Sequence, residues 1–235
     1  MNTVKLYLIP TPISDNNPAN TLPVGFLEIV NQLEVFITEN IKTTRRFLRA
    51  IGYTGDFNII PYHLLNKHTD HKTLPSFLDQ AAAGHPTGLF SEAGMPCIAD
   101  PGAQVVRIAH ERQIQVIPVT GPSSIMLALA ASGFNGQNFA FNGYLPIAEN
   151  DRSRHIKILE NRVIKEKQTQ IFIEAPYRNN KLLQSLIQNC HPDTLICIAT
   201  DITGTEEYIK TLPAKSWKKQ HIDLHKKNTV FLIYQ

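Results

Sequence analysis

The 235-residue sequence predicts an α/β fold, with a parallel sheet in its N-terminal half and a mixed sheet in its C-terminal half. Three observations carry that prediction. Through residues 4–119, short apolar runs rich in β-branched and aromatic side chains alternate with amphipathic stretches of helical length. That order demands parallel strands joined and covered by helices on both faces. The last two apolar runs have no helix of useful length between them, so that pair is expected to be antiparallel. Finally, Gly and Pro break the chain at 118–122, with no long low-complexity linker and no repeat. Two domains follow, 1–119 and 120–235. The 43% hydrophobic content suffices for a core in each.

Residues 4–9 open the first sheet as a buried strand stopped by Pro10. Residues 34–38, 58–60, 88–91 and 115–119 read as its other strands, bounded by Gly and Pro signals. Helices are expected at 22–33, 40–51, 72–83 and 102–112. In the third, Leu74, Phe77, Leu78 and Ala81 recur at i, i+3, i+4 and i+7, one buried stripe. Asp100 ahead of Pro101-Gly102 reads as an N-cap with proline in the first turn. Ser123 and Ser124 are placed to cap a helix over 125–131 that ends at Ser132-Gly133. Strand 138–141, helix 151–165, strand 170–174, helix 178–189 and strand 194–199 follow. Two tail strands, 206–212 and 229–234, are joined through Trp217.

Composition excludes several classes. The longest apolar run, 125–131, has seven residues against the roughly 18–20 of a membrane helix, so no membrane span is expected. The patch before Pro10 is shorter than the roughly 7–15 residues of a secretory signal core. Cys97, Cys190 and Cys197 form no C-x-x-C pair and read as buried reduced thiols of a cytoplasmic protein. Net charge is +3 and dispersed, which permits a nucleic-acid partner without requiring one. There is no G-x-x-x-x-G-K-[ST], no G-x-G-x-x-G after the first strand, no H-E-x-x-H and no G-x-S-x-G. His63, His68 and His71 fit no zinc-ligand spacing and read as solvated loop residues, and no metal site is expected.

The densest unusual stretch is Ser91-Glu92-Ala93-Gly94-Met95-Pro96-Cys97-Ile98-Ala99-Asp100-Pro101-Gly102, between a buried strand and a helix. In parallel sheets that edge is where ligands bind. Gly94 admits close backbone approach, and two prolines stiffen the loop. A second turn, Thr120-Gly121-Pro122-Ser123-Ser124, follows one β-α unit later, so the two are placed to form walls of one cleft.

These two segments, with Phe139-Ala140-Phe141-Asn142-Gly143-Tyr144-Leu145-Pro146 and Ile173-Glu174-Ala175-Pro176-Tyr177-Arg178, resemble an ordered set of family signatures. They read D-A-G-M-P-x-I-x-D-P-G, P-G-P-S-A, F-x-F-x-G-F-L-P and E-x-P-H-R in the tetrapyrrole methylase superfamily. The similarity is greatest to its small-subunit ribosomal RNA ribose 2′-O-methyltransferase branch. The resemblance implies a class III methyltransferase of two α/β domains, dependent on S-adenosylmethionine held in a cleft between them, and a homodimer. It implies ribosomal RNA or the small ribosomal subunit as partner. Carried over by residue, it assigns the cofactor to Pro10, Thr11, Gly94, Met95, Pro96, Ile98, Ser123, Ser124, Glu174 and Ala175, with Thr200 added.

The chemistry suits that set. A sulfonium is a cation without hydrogen-bond donors, so carbonyl oxygens and a carboxylate serve it better than a phosphate cradle. Met95, Ile98 and Ile173 offer an apolar slot for adenine. Alignment alone is worth on the order of 7–11 kcal/mol in such a transfer. A ribose hydroxyl is a poor nucleophile and gains from a base. The catalytic candidates are Glu39 and Glu92, each of which also reads as a charge at a helix end or loop rim.

The chain departs from the family in three places. T-P-I-G-N-L becomes Thr11-Pro12-Ile13-Ser14-Asp15-Asn16, E-D-T-R becomes Glu39-Asn40-Ile41-Lys42, and R-E-L-T-K becomes Thr200-Asp201-Ile202-Thr203-Gly204. The lost cations are those an RNA phosphate would use, and lysine does not replace arginine's fork. Lys42, Arg45 and Arg178, with Arg46, Arg49, Arg152 and Arg154, are the expected positive rim, although a solvated helix face also explains those near 45–49. Another RNA, a protein side chain or a tetrapyrrole are alternative acceptors. The altered 39–42 segment leaves open a binding module without turnover.

Overall fold

In a computed structural model, which describes residues 4–14 and 18–235, ten strands form two five-stranded sheets. Asp15 and Asn16 of the first loop lie outside the described residues. The sheets belong to two units, Met1–Ser123 and Ser124–Gln235.

In the first unit the order along the chain is β1 (Lys5–Ile9), α1 (Phe26–Asn31), β2 (Val35–Thr38), α2 (Ile41–Ala50) and β3 (Tyr62–Leu64). A 3-10 helix (His71–Leu78), α3 (Asp79–Ala82), β4 (Thr87–Phe90), α4 (Ala103–Glu111) and β5 (Gln115–Pro118) complete it. The sheet runs β3-β2-β4-β1-β5, parallel throughout. Side chains alternate across it. Leu6, Ile37 and Leu89 pack with Leu74, Leu78 and Val105 beneath the 3-10 helix and α4. Tyr7, Ile9, Phe36 and Phe90 pack with Phe26, Val30 and Leu48 of α1 and α2. Helices thus cover both faces.

Four sequence expectations need correction here. Residues 58–60 are a turn, not a strand. The Asp56 carbonyl accepts the Ile59 and Ile60 N–H groups, Ile59 is 80% exposed, and the third strand begins beyond Pro61. The helix expected over 22–33 shortens to α1, because Gly25 turns left-handed (φ 83°) immediately before it. The 72–83 helix is split: Pro75 removes a donor and the first part winds as a 3-10 helix, although Leu74, Phe77, Leu78 and Ala81 are all buried as the stripe required. Asp100 does not cap α4. Gly102, at φ 134°, occupies that position, and a Cβ there would stand 2.8 Å from both Cys97 Sγ and Leu89 Cδ2.

The second unit comprises α5 (Ser124–Ser132), β6 (Phe139–Tyr144), α6 (Glu149–Glu166), β7 (Thr169–Ile173), α7 (Asn179–Asn189), β8 (Leu195–Thr200), β9 (Tyr208–Pro213), α8 (Ala214–Trp217) and β10 (Thr229–Tyr234). Its sheet runs β6-β7-β10-β8-β9; β6 and β7 are parallel, and the other neighbours are antiparallel. Phe172, Phe231, Ile196 and Ile198 face Ile156, Leu159, Leu186 and Trp217 of α6–α8. On the opposite face Thr211 donates to the Ser132 carbonyl of α5 at 2.8 Å. The expected antiparallel pairing of the two tail strands with each other is overturned. The last strand, β10, inserts between β7 and β8, and β9 pairs with β8 instead. Val230, Phe231, Leu232 and Ile233 are buried on both faces, which only a central position satisfies.

Candidate active site

All strands of a parallel sheet end at one edge, so the loops after the adjacent strands β4, β1 and β5 converge. Thr11 and Gly94 exchange both backbone hydrogen bonds at 3.0 Å, tying the first loop to the proline loop. Ser91, unassigned by sequence, is buried beneath them; its hydroxyl donates to the Gly94 carbonyl at 2.5 Å and lies 3.1 Å from Thr11 Oγ1. Gly94 has φ 77°, and a Cβ on it would meet Ile13 Cγ2 at 3.1 Å and the Pro122 carbonyl at 3.3 Å, with Ser123 Cα at 4.0 Å. Gly121 similarly lies on the Pro10 ring, 2.2 Å from where its own Cβ would stand. The backbones of Pro10, Thr11, Gly94 and Ser123 therefore meet at one tightly packed strand-end junction. Pro96 is buried, Met95 half-buried and Ile98 46% exposed along the rim.

The loop is conformationally costly. Cys97 (φ 69°) and Ala99 (φ 57°) are left-handed without being glycine, a form of strain that gathers at functional sites. Cys97 is only partly buried, unlike Cys190 and Cys197, and burial together with Asp100 pushes its thiol up to about 11. The loop also gathers acids. Burial, and then the charges of Glu39 and Glu92, push the Asp100 carboxyl up to about 7. Burial and Glu92 likewise raise Glu39 above the ordinary carboxylate range. Glu92 is exposed and accepts a 2.7 Å hydrogen bond from Thr43 Oγ1 on α2. The two sequence candidates thus share their electrostatics with a third acid, Asp100, which does not cap α4.

Of the expected cations in this unit, Lys42 is exposed on the first turn of α2, where Asn40 Oδ1 caps its backbone N–H at 2.9 Å. Arg45 is committed elsewhere. It donates to the Phe57 carbonyl at 2.7 Å and lies over the Tyr62 ring at 5.0 Å. Arg49 lies over Phe57 at 5.0 Å. His63 is not in a solvated loop; it lies on β3, stacked 4.7 Å from Phe77, and burial lowers its pKa.

In the second unit β6, β7 and β8 point the same way and end at one edge. Glu174, just past β7, is buried. One of its oxygens accepts Arg178 Nε at 3.0 Å, Arg178 Nη2 at 2.6 Å and the Ala175 N–H at 2.7 Å. Thr200, buried at the end of β8, donates to the Asn228 carbonyl at 3.2 Å and accepts from Thr229 Oγ1 at 3.0 Å. Beyond it Asp201 (φ 49°) and Thr203 (φ 64°) are left-handed. Ser124 opens α5. Arg152 is not on a rim; it is 3% exposed, bonded to Ser185 Oγ and the Ile147 carbonyl.

The strand-end junction and its strained proline loop sit within a segment that matches a known family. Residues 5–216 match the model described as Tetrapyrrole (Corrin/Porphyrin) Methylases. The chain belongs to that family. Among its relatives, the Ribosomal RNA small subunit methyltransferase I of Vibrio cholerae serotype O1 is 28% identical over 97% of this chain and 76% of its own. The protein of the same name from Buchnera aphidicola subsp. Schizaphis graminum is 31% identical over 97% and 77%. Two solved tetrapyrrole methylase structures share the fold. The methyltransferase CobJ superposes with a TM-score of 0.63 at 14% identity, over 99% of this chain and 94% of that one. The cobalt precorrin-4 methyltransferase CbiF gives 0.60 at 16%, over 98% and 95%. As a member of the tetrapyrrole methylase family the chain is a methyltransferase, and methyltransferases of this family use S-adenosylmethionine. Among the described residues no helix is long and apolar enough to cross a membrane, and no group of His, Cys, Asp and Glu is arranged to hold a metal ion.

Proposed function

We propose that this chain binds S-adenosylmethionine and methylates a ribose 2′-hydroxyl of small-subunit ribosomal RNA. The observation that carries this reading is the Thr11–Gly94 junction, where the backbones of three strand-end loops come so close that a Cβ at Gly94 would press on Ile13 and the Pro122 carbonyl. Its character fits the group. Asp100, Glu39 and Glu92 gather on this loop edge, and carboxylates suit a donor-free cation. Pro10, Thr11, Gly94, Met95, Pro96, Ile98 and Ser123 of the first unit would hold it, and Ser124, Glu174, Ala175 and Thr200 remain cofactor candidates on the family resemblance. When bound, S-adenosylmethionine supplies a methyl group on a positively charged sulfur. The chain's own contribution is to orient the acceptor hydroxyl and take its proton. Asp100, titrating near neutrality, is well matched to that role, with Glu39 and Glu92 sharing the negative field.

Lys42 remains an exposed cation beside this site. Arg45 and Arg178 would meet RNA only by giving up bonds they already make. A second copy of the chain is the proposed partner in a homodimer, supported by the exposed Met126 and Leu127 on the otherwise apolar α5. The same reading divides function between domains 1–119 and 120–235 and places the protein in the cytoplasm with ribosomes.

Two measurements test this. Isothermal titration should show one S-adenosylmethionine per chain, lost in Gly94→Val without loss of the folded circular-dichroism spectrum. Radiolabelled methyl transfer to small ribosomal subunits from a strain lacking this gene should place label in RNA ribose. A flat titration removes the methyltransferase reading, and label only in protein removes the RNA one.

A further inference from the structure

We propose that the outer face of α6 is an RNA-backbone docking surface, contacting phosphates through Arg154, Lys157, Arg162 and Lys165. This rests on the ribosomal RNA reading above and names where such a substrate is held. The inner face of α6 is spent on the core through Ile156, Leu159 and Val163. Its outer face presents two pairs of like charge, each pair one turn apart, with Ile158 (45% exposed) and Asn161 between them. The stripe extends about 16 Å along the helix axis.

Among the described residues none of these four cations forms an ion pair. Like charges at this spacing destabilise an isolated helix by tenths of a kcal/mol, roughly 0.2–0.5 per pair. Of the acids on α6, Glu160 is committed to the His191 N–H and the Thr194 hydroxyl. Asp151, one turn before Arg154, and Glu166, one turn after Arg162, flank the row at its two ends without an ion pair to it among the described residues. The middle of the row is therefore positive, with four exposed cations and, among the described residues, no ion pair to them, and its complement is a polyanion.

Topology connects it to the candidate site. α6 is the crossover between the parallel strands β6 and β7. It leaves the edge that bears Glu174, Ala175 and Thr200, so Arg154 lies nearest that edge and Lys165 farthest from it. A strand of RNA along this row would run toward the edge. An anionic membrane fits less well, because the wide apolar face that interfacial helices bury in lipid is here already buried in protein.

The test uses the full chain and a fluorescein-labelled oligouridylate, with affinity measured against salt. The variant Arg154→Gln, Lys157→Gln, Arg162→Gln, Lys165→Gln should bind at least about tenfold more weakly, and its log–log salt slope should be shallower by about 3. Its S-adenosylmethionine titration should match the wild type. A charge-matched control, Lys181→Gln, Lys218→Gln, Lys219→Gln, Lys226→Gln, should retain most of the affinity. Unchanged RNA binding in the α6 variant, or an equal loss in the control, would overturn the α6 assignment alone. No RNA binding by the wild type would overturn it together with the ribosomal RNA reading, while the titration separately reports on the cofactor. Loss of binding only to phosphatidylserine vesicles would replace RNA with a membrane surface and also overturn it.

Discussion

The two sheet edges hold their carboxylates in opposite conditions. At the parallel edge burial first, and then the charges of neighbouring acids, raise the Asp100 and Glu39 carboxyls, and Glu39, Glu92 and Asp100 have no cation among the ion pairs of the described residues. At the mixed edge Glu174 is buried but clamped by both Arg178 donors and the Ala175 N–H. Burial alone does not decide what an acid does; its partners do. The first arrangement leaves groups ready to accept a proton or face a cation. The second has spent its charge on fixing the chain between β7 and α7.

That contrast is broken most severely by Arg178→Ala. The Glu174 side chain is 3% exposed, whereas that of Arg178 is 26% exposed. Removing the guanidinium strands a buried charge, and the expected loss is roughly 2–4 kcal/mol in urea unfolding at neutral pH. Glu174→Gln keeps hydrogen-bonding capacity without the charge and should cost clearly less. Equal losses from the two variants would mean the clamp is held by packing and not by charge.

Asp100→Asn probes the other edge, with a smaller effect of opposite sign. The ordinary Asp pKa is 3.8, and in the folded chain Asp100 titrates near 7. Between those values the folded state keeps a proton that the unfolded state has released. Stability is therefore unimpaired by this group below about pH 4 and falls as pH rises toward 7. The variant should be more stable than the wild type at pH 8, by about 1–2 kcal/mol after discounting for partial exposure, and equal to it near pH 4. Urea midpoints at the two pH values measure this. Methyl transfer should move the other way: the wild-type rate rises through pH 7, and the variant's does not. A parent-like pH profile in the variant would leave Glu39 or Glu92 as the base.

The comparison also explains what sequence could and could not reveal. The β-α alternation is written in local pattern, and so are the stripe from Leu74 to Ala81 and the strand-end loops, because periodicity and Gly-Pro punctuation are local physics. The stripe was legible even where the helix type was not, since burial of those side chains survives the change to 3-10 winding. The position of β10 was not legible, because an apolar run does not say which neighbours it takes. The role of Asp100 was hidden for a similar reason. Its raised pKa comes first from burial and then from Glu39, a residue remote in sequence and brought close only by the parallel edge. Arg152 and Arg178 look like free cations in one dimension, and only their partners in space show them to be committed.

The smallest expected effect tests whether the acidic edge is organised or merely crowded. Thr43 Oγ1 reaches from α2 to Glu92 Oε1 at 2.7 Å and also to the Asn40 carbonyl at 2.9 Å, linking the proline loop to the loop after β2. Thr43→Val keeps the shape and deletes both bonds. Glu92 is exposed, so water replaces the lost donor and stability should change by less than about 1 kcal/mol. Orientation is another matter. A carboxylate freed to rotate no longer holds a fixed place beside Asp100 and Glu39, and methyl transfer should fall several-fold while S-adenosylmethionine affinity stays within about twofold. Single-turnover transfer and titration on the same preparation separate the two. An unaltered transfer rate would show that Glu92 acts only as diffuse negative charge, and would narrow the search for an oriented base to Asp100 and Glu39.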